Sequence, residues 1–548
     1  MISNIESVMN KINRREFLIK AVGAASVSTF ASAFSMSTLK TKGKKKPNVL
    51  ILFSDQHNKK VMGFEGHPDV LTPNFDKLAN ESLVFDRAYA TVGICVPSRS
   101  SLLTGLMPRT MGLLFNAGHT SVMEEAVSMA TIFKHNNYNT YAFGKRHVSS
   151  AIDAGWDVKK DHQYKPTDDD NYVSWVERKG YAKQFAEDWA AEFGRGPKGS
   201  SEYETKFPTA DLGTRISKLP EEYTMENYTK IETIKMIKEQ AKSDNPFFCW
   251  ATFYRPHQPF NPQQKYMDMY NVAEWGKGTK KGGGIKKPAS LYEPTESLPP
   301  LLQSQRNGGN KVWNMDKAFK DEQLWRNYIG GYYALVTQID HCVGEILGAL
   351  DKAGLEEDTI VIYASDHGDF VGNHGMVEKC AVGQNVYEDI LNVPLMIKVP
   401  GKTKKGQRTA ELVTLADVLP TLIDMLELDA PEFKYPIQGK SMSDVILRDG
   451  SMNREYLVSE SWSQAAVITK NHKLGIMLDP TVVHQNWDYR DFGDMFFDRE
   501  NDPLEVENKI KDKRYQKEID KLRGYYDEFI RTTPSTGKDE LVRQKLTK

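Results

Sequence analysis

Two stretches of the chain run continuously apolar and then turn polar in the same way. Val49 to Phe53 is followed by Ser54, Asp55 and Gln56, and Ile360 to Tyr363 is followed, after Ala364, by Ser365, Asp366 and His367. Such runs predict strands buried on both faces, as in a parallel sheet covered by helices. Three further runs read as strands: YNTYAFGKRH (138 to 147), PFFCWATFYRPHQPF (246 to 260) and VPLMIKVPG (393 to 401). Helical patterns separate them. The clearest places Leu335, Ile339, Val343, Ile346 or Leu347, and Leu350 on one face and stops at Gly354. ELVTLADVLPTLIDMLELDAPE (411 to 432) reads as a helix with a proline break. Alternating strands and helices predict an α/β sandwich around a large, mixed but mainly parallel sheet. After this helix the texture changes. REYLVSESWSQAAVITKNHKLGIML (454 to 478) has shorter, alternating strands, and MFFDRENDPLEVENKI (495 to 510) reads as a strand, an acidic proline turn and a helix start. The expected division is a main unit over 47–444 and a small C-terminal α+β subdomain with an antiparallel sheet over 445–548.

In open α/β sheets ligands gather beyond the carboxyl ends of the strands. Asp55, Lys145, His257 and Asp366 all fall there. Asp55, Gln56, Asp366 and His367 together offer two carboxylates, an amide oxygen and an imidazole. Two carboxylates brought together need a cation between them or must share a proton. Oxygen-rich donors favour a hard ion, Ca²⁺ or Mg²⁺, and His367 leaves the identity open. A single Asp after a strand is more often a helix N-cap, but the repeated pattern favours a metal pair. Lys145 follows a buried strand, and Arg99 and Lys379 add further positive charge. Several cations beside a metal suit a tetrahedral oxyanion, stabilised by charge. His147 and His257 are candidate acids or bases near neutral pH.

Composition narrows the function classes. The chain has 548 residues, and its 72 Lys and Arg against 73 Asp and Glu leave a net charge of -1. No basic field argues for nucleic acid. The four cysteines, Cys95, Cys249, Cys342 and Cys380, are scattered without a C-x-x-C pair, which argues against a zinc ribbon or a disulfide scaffold. Cys249 and Cys342 sit in apolar or helical runs and read as core thiols. Cys95, in ICVPSRSSLLTG (94 to 105), could be a core residue, a thiol nucleophile, a disulfide half or a metal ligand. At the N-terminus, NRREFLIKAVGAASVSTFASAFS (13 to 35) pairs Arg14 with Arg15 ahead of a weakly apolar run ending in Ala-Ser-Ala. This predicts a twin-arginine export signal over 1–35, read by the twin-arginine export machinery, and a bacterial periplasmic or secreted location. Lys20, Gly23 and several serines make the run a poor membrane span. A basic linker over 36–46 follows.

In these motifs the chain resembles the formylglycine-dependent sulfatases of the alkaline-phosphatase-like superfamily. Cys95-Val96-Pro97-Ser98-Arg99, followed by Leu103-Thr104-Gly105, is similar to that family's signature. PNVLILFSDQ resembles its first metal-binding strand, GKRH its Gly-Lys-x-His element, RPHQPF its Pro-His-x-Pro-Phe element, and SDHGDFVGNHGMVEK its second metal-binding block. The resemblance spans roughly residues 46 to 525 and implies an alkaline-phosphatase-like α/β/α sandwich. It also implies that a formylglycine-generating maturation enzyme oxidises Cys95 to formylglycine. One hydroxyl of the hydrate would attack sulfur, and the second would let the sulfate ester collapse. Asp55, Gln56, Asp366, His367 and residue 95 would bind the divalent cation. Lys145 and Lys379 would hold sulfate oxygens, and Arg99 would orient the diol. His147 would take the second hydroxyl's proton. His257 would protonate the leaving oxygen, with help from Lys379. Ser98 would brace the turn or serve the maturation enzyme. The sequence departs from the common family pattern at Gln56, usually Asp, and at His367, which is similar to the iduronate-sulfatase-like branch.

Export and the resemblance imply a sulfated carbohydrate as substrate, either an algal polysaccharide such as ulvan, carrageenan or fucoidan, or glycosaminoglycan oligosaccharides. Exo-action is expected from the lack of a long cationic channel. Candidate specificity loops are FNAGHT (115 to 120), the Gly- and Lys-rich WGKGTKKGGGIKKP (275 to 288) and HQNWDYR (484 to 490), where His484 and Arg490 are candidate substrate contacts. The competing expectations are a phosphodiesterase or phosphonate monoester hydrolase of the same superfamily, and a sugar-binding homologue without turnover.

Overall fold

The computed structural model describes residues 46–114, 116, 121–162, 171–198, 200–309, 315–379, 386–461, 463–478 and 493–535, with the backbone of 483–484 and 487–488. The expected export signal, Cys380, Arg490 and most of the 115 to 120 loop lie outside the described residues.

The main sheet contains β1 (Asn48–Asp55), β2 (Leu83–Tyr89), β3 (Asn139–Gly144), β4 (Val158–Asp161), β5 (Phe247–Pro256), β6 (Thr359–Ser365), β7 (Leu395–Lys398) and β8 (Arg408–Thr414). Its order is β4-β3-β5-β1-β6-β7-β2-β8. β1 lies at the centre, parallel to β5 and to β6, with Val49 opposite Phe248 and Ile360. β7 pairs antiparallel with both of its neighbours, β6 and β2. The sheet is therefore mixed but mainly parallel, as the apolar runs predict.

The helices used below are α1 (Cys95–Thr104), α2 (Ala182–Phe193), α3 (Met225–Gln240), α4 (Glu322–Lys352), α5 (Val418–Met425), α6 (Ser443–Arg448) and α7 (Gln516–Thr532). The continuous hydrophobicity of β1 follows from a helix layer on each face. Val49, Ile51 and Phe53 pack with Leu102 and Leu103 of α1 and Leu419 and Leu422 of α5. Leu50 and Leu52 pack with Ile339, Val343, Ile346 and Leu350 of α4. Each such buried side chain contributes about 1.5–3 kcal/mol of transfer free energy. The predicted face of α4 is correct, and the helix extends further towards the N-terminus, to Glu322, with Asp321 capping Gln323 N–H.

Two stretches fold differently from their sequence reading. Residues 411 to 432 are not one broken helix. Their first part completes β8, and Pro420 sits in the first turn of α5, where a missing N–H costs no helical bond. The helix expected at the end of 495–510 begins only at Gln516, after turns around Asp498 and Asp512.

A separate antiparallel sheet, in the order β14-β11-β10-β9, contains β9 (Leu457–Glu460), β10 (Gln464–Ile468), β11 (His472–Met477) and β14 (Met495–Asp498). α7 covers it through Ile519, Leu522 and Phe529, against Val467, Leu474 and Phe496. α6 places Val445 and Ile446 in the core of the main sheet. β12 (Val483–His484) and β13 (Trp487–Asp488) form a two-stranded ribbon.

Candidate active site

The sequence turns polar where the strands stop pairing. Between Ser54 and Asp55 the β1–β5 register shifts, and Gln56 turns into the left-handed region with φ of 65°. Asp55, the last residue of β1 and paired with Pro256 after the shift, thereby stands at the carboxyl edge, beside Asp366 at the end of β6. Gly144 ends β3 with φ of 90°, and a Cβ there would lie 1.9 Å from the Thr252 carbonyl oxygen. That close approach brings Lys145 over the same edge. Cys95 occupies the first turn of α1, which Gly105 closes in a left-handed cap. Ser98 Oγ donates to the Asp366 carbonyl at 2.6 Å, fastening the start of α1 to the end of β6.

Asp55, Cys95, Asp366 and His367 are fully or almost fully buried, and one donor atom from each lies within 4.8 Å of the others. The two carboxylates divide their oxygens between two tasks. Asp55 Oδ2 accepts from Arg99 Nη2 at 2.9 Å, and Asp366 Oδ2 accepts from Arg99 Nε at 2.7 Å. The other oxygens turn towards His367 Nε2, at 3.9 Å for Asp55 Oδ1 and 3.7 Å for Asp366 Oδ1. Cys95 Sγ is 3.2 Å from the same nitrogen. His367 Nδ1 donates to the Gly368 carbonyl at 2.9 Å, which leaves the Nε2 lone pair facing the carboxylates. Converging hard oxygens, an oriented imidazole and the residue 95 side chain fit a divalent cation. Gln56 lies alongside. Its Oε1 accepts from Lys379 Nζ at 2.9 Å, and its Nε2 donates to Asp369 at 2.7 Å and Gln258 at 3.0 Å.

Lys145, Lys379, His257 and His147 lie at the same edge. Lys145 Nζ is 2.7 Å from Asp55 Oδ2 and 4.4 Å from the centre of the Tyr254 ring. Lys379 Nζ is 3.5 Å from His257 Nε2. His257 Nδ1 donates to the Gln258 carbonyl at 2.8 Å, so Nε2 is the nitrogen presented to the site. His147 is half-buried with φ of 45°, and its Nδ1 has no hydrogen-bond partner among the described residues. Arg99 also donates to the Lys145 carbonyl at 2.5 Å and to Thr252 at 3.0 Å. It is therefore a hub joining β1, β3, β5 and β6.

Burial and charge act together on these groups. Burial and the neighbouring Asp55 carboxylate push the Cys95 thiol up to about 11, against the pull of Lys379 and Lys145, so it is no ready thiolate. Burial alone would raise Asp55, but the charges of Lys145 and Arg99 hold it well below the usual carboxylate range. Burial and the Lys145 charge, joined by Arg99 at His147 and by Lys379 at His257, depress both histidines well below their ordinary value. Burial would lower Lys379, yet the surrounding Cys95, Glu378 and Asp55 keep it raised.

Sequence reasoning missed Thr252, Gln258 and Asp369. Asp369 is fully buried and accepts from Tyr328 OH at 2.6 Å and Val371 N–H at 2.7 Å besides Gln56. Its signal was the second carboxylate in SDHGDF. Thr252 and Gln258 carry none, because their contacts arise only when separate strands, turns and helices come together. His484 is placed by its backbone in β12, and Arg490 lies outside the described residues. Cys249 and Cys342 are free, buried thiols, as expected.

The family profile "Sulfatase" matches residues 47–428. The chain belongs to the sulfatase family. A second profile, "N-sulphoglucosamine sulphohydrolase, C-terminal", matches residues 372–531. An arylsulfatase of Clostridium perfringens is 28% identical, covering 87% of this chain and 93% of its own. An ulvan-active sulfatase of Formosa agariphila is 28% identical, covering 75% of this chain and 68% of its own. Among solved structures, a phosphonate monoester hydrolase from Silicibacter pomeroyi superposes with a TM-score of 0.68 at 19% identity, covering 90% of this chain and 96% of its own. That likeness is one of fold, the alkaline-phosphatase-like sandwich. Membership of the family makes this sulfatase a sulfuric ester hydrolase, and the family generally uses formylglycine and a divalent cation.

Proposed function

We propose that this sulfatase removes sulfate from a sulfated carbohydrate, with Cys95 converted to formylglycine and Ca²⁺, or Mg²⁺, as the cation. The observation that supports this best is the buried group of Asp55, Cys95, Asp366 and His367, ringed by Arg99, Lys145 and Lys379. When present, the formylglycine hydrate would supply the attacking oxygen and the cation would polarise the sulfate. Asp55, Asp366, His367 and the Gln56 amide would hold the ion. Lys145 and Lys379 bind the sulfate oxygens, and Arg99 fixes both carboxylates. His147, neutral with a free Nδ1, accepts the proton that must leave residue 95. In the free site burial and the positive lysines keep His257 neutral. Bound sulfate offsets that field, so the His257–Lys379 pair can carry the proton for the leaving alcohol.

The ulvan activity of the Formosa relative and the predicted export signal over 1–35 support an algal polysaccharide, with glycosaminoglycan oligosaccharides as the second choice. The same reading takes 36–46 as a linker, 47–444 as the catalytic unit and 445–548 as the C-terminal subdomain. It places the protein in the periplasm or outside the cell, with His484 and Arg490 as substrate contacts. The test is a parallel assay of defined sulfated oligosaccharides and matched phosphate and phosphonate esters. Released sulfate is expected to dominate. Dominant phosphate or phosphonate hydrolysis would reverse the assignment.

A further inference from the structure

Behind the active site lies a small cavity that the proposed chemistry does not use. The Arg255 guanidinium separates it from His257. Arg255 Nη1 donates to the His257 carbonyl at 2.9 Å and to the Pro259 carbonyl at 2.6 Å, and Nη2 donates to Asn261 Oδ1. These bonds fasten the turn that carries His257. The cavity measures about 20 Å³ and is lined by Asp188 of α2, Glu226 of α3, Arg255, Asn261 and Gln263. Four polar atoms of these lining residues have no hydrogen-bond partner among the described residues: Asp188 Oδ1, Glu226 Oε1, Asn261 Nδ2 and Gln263 Oε1. Their residues are at least nine-tenths buried. The nearest counter-charge to Glu226 Oε1 is Arg255 Nε, at 4.0 Å.

Buried polar atoms left without partners are costly. The space holds one water, which needs two to four polar partners. A cation fits poorly, because Asn261 presents an N–H donor. Its amide is fixed in that sense by the bond from Arg255 to Oδ1. A water can donate to two of the three acceptors and accept from Asn261.

We infer that an ordered water occupies this cavity and links Asp188, Glu226 and Gln263 to Asn261 and Arg255, so that Asp188 and Glu226 act as positioning residues for His257. This rests on the reading of His257 as the group that protonates the leaving alcohol. A misplaced proton donor hurts a poor leaving group more than a good one. Glu226→Ala is therefore assayed on an alkyl sugar sulfate and on 4-nitrophenyl sulfate. On the sugar sulfate kcat is expected to fall about ten-fold or more, and on the aryl ester by less than about two-fold, with KM little changed. Glu226→Gln, which keeps an acceptor, should recover most of the loss. Asp188→Ala, which removes the other carboxylate acceptor, carries the test if Glu226→Ala does not fold. Equal losses on both substrates, or no loss, would overturn the inference. So would a crystal structure with a dry cavity or a cation in it. His257→Gln is the control. If it lacks the leaving-group selectivity, the reading of His257 fails. If it shows the selectivity and the Glu226 and Asp188 variants do not, only the link through the water fails.

Discussion

Two clusters of buried charge use similar ingredients to opposite ends. One joins the antiparallel sheet to the main body. Lys473 of β11 pairs with Glu388 at 2.8 Å and Glu505 at 2.6 Å, and Arg499 pairs with Glu388 at 3.0 Å. Two cations meet two carboxylates, so charge is balanced. The other cluster is the active site, where Arg99, Lys145 and Lys379 face Asp55 and Asp366. The neutralised histidines add no charge, and burial pushes Asp369 and Glu378 upwards, towards their neutral forms. Three cations therefore face the two metal-site carboxylates before any metal is counted. A balanced cluster is a fastening. An unbalanced one has a place reserved for an anion.

The comparison breaks most visibly at the proposed nucleophile. Cys95→Ala should cut kcat by at least about 10⁴-fold, while thermal unfolding shifts by no more than about 3 °C. A collapsed protein would make Cys95 a core residue after all. The paired lysines come next. Lys379→Met should lower kcat by about 10²–10³-fold and leave the melting temperature equal or higher, since a surplus cation has gone. Lys473→Met should do the reverse, costing about 3–5 kcal/mol in urea titrations by stranding Glu388 and Glu505, with turnover per folded molecule unchanged. Crossed outcomes would erase the distinction. The smallest effect is in acid. Burial would raise Glu388, but Arg499 and Lys473 hold it at about 2, below its ordinary 4.5. Its stabilising contribution is complete above about pH 4.5 and is lost as the pH falls towards 2, roughly 3 kcal/mol in all. Glu388→Gln should flatten that part of the stability curve.

What the sequence revealed follows the same division. The strand-end carboxylates, lysines and histidines were legible because buried strands announce their ends, and a catalytic strand end stays polar against its apolar run. Asp369 and Gln258 were hidden because their partners come from other strands and turns. β8 was misread for a different reason. In LVTLADVL the break between strand and helix is only the Thr414–Asp417 capping box, set among residues that pack into the core, and Pro420 falls where a first turn tolerates it. The cluster around Lys473 gave no signal either. Its four charges look like ordinary surface residues until the second sheet docks.

The burial of α1 also sets an order in time. Cys95 is 1% exposed, and Ser98 and Arg99 not at all. Once Ser98 has bonded to the end of β6 and Arg99 has gripped both carboxylates, no enzyme can reach the sulfur without undoing the centre of the sheet. Any oxidation of Cys95 must therefore come while the chain is still open. Folding then closes the record, and a molecule that folds too soon keeps its thiol.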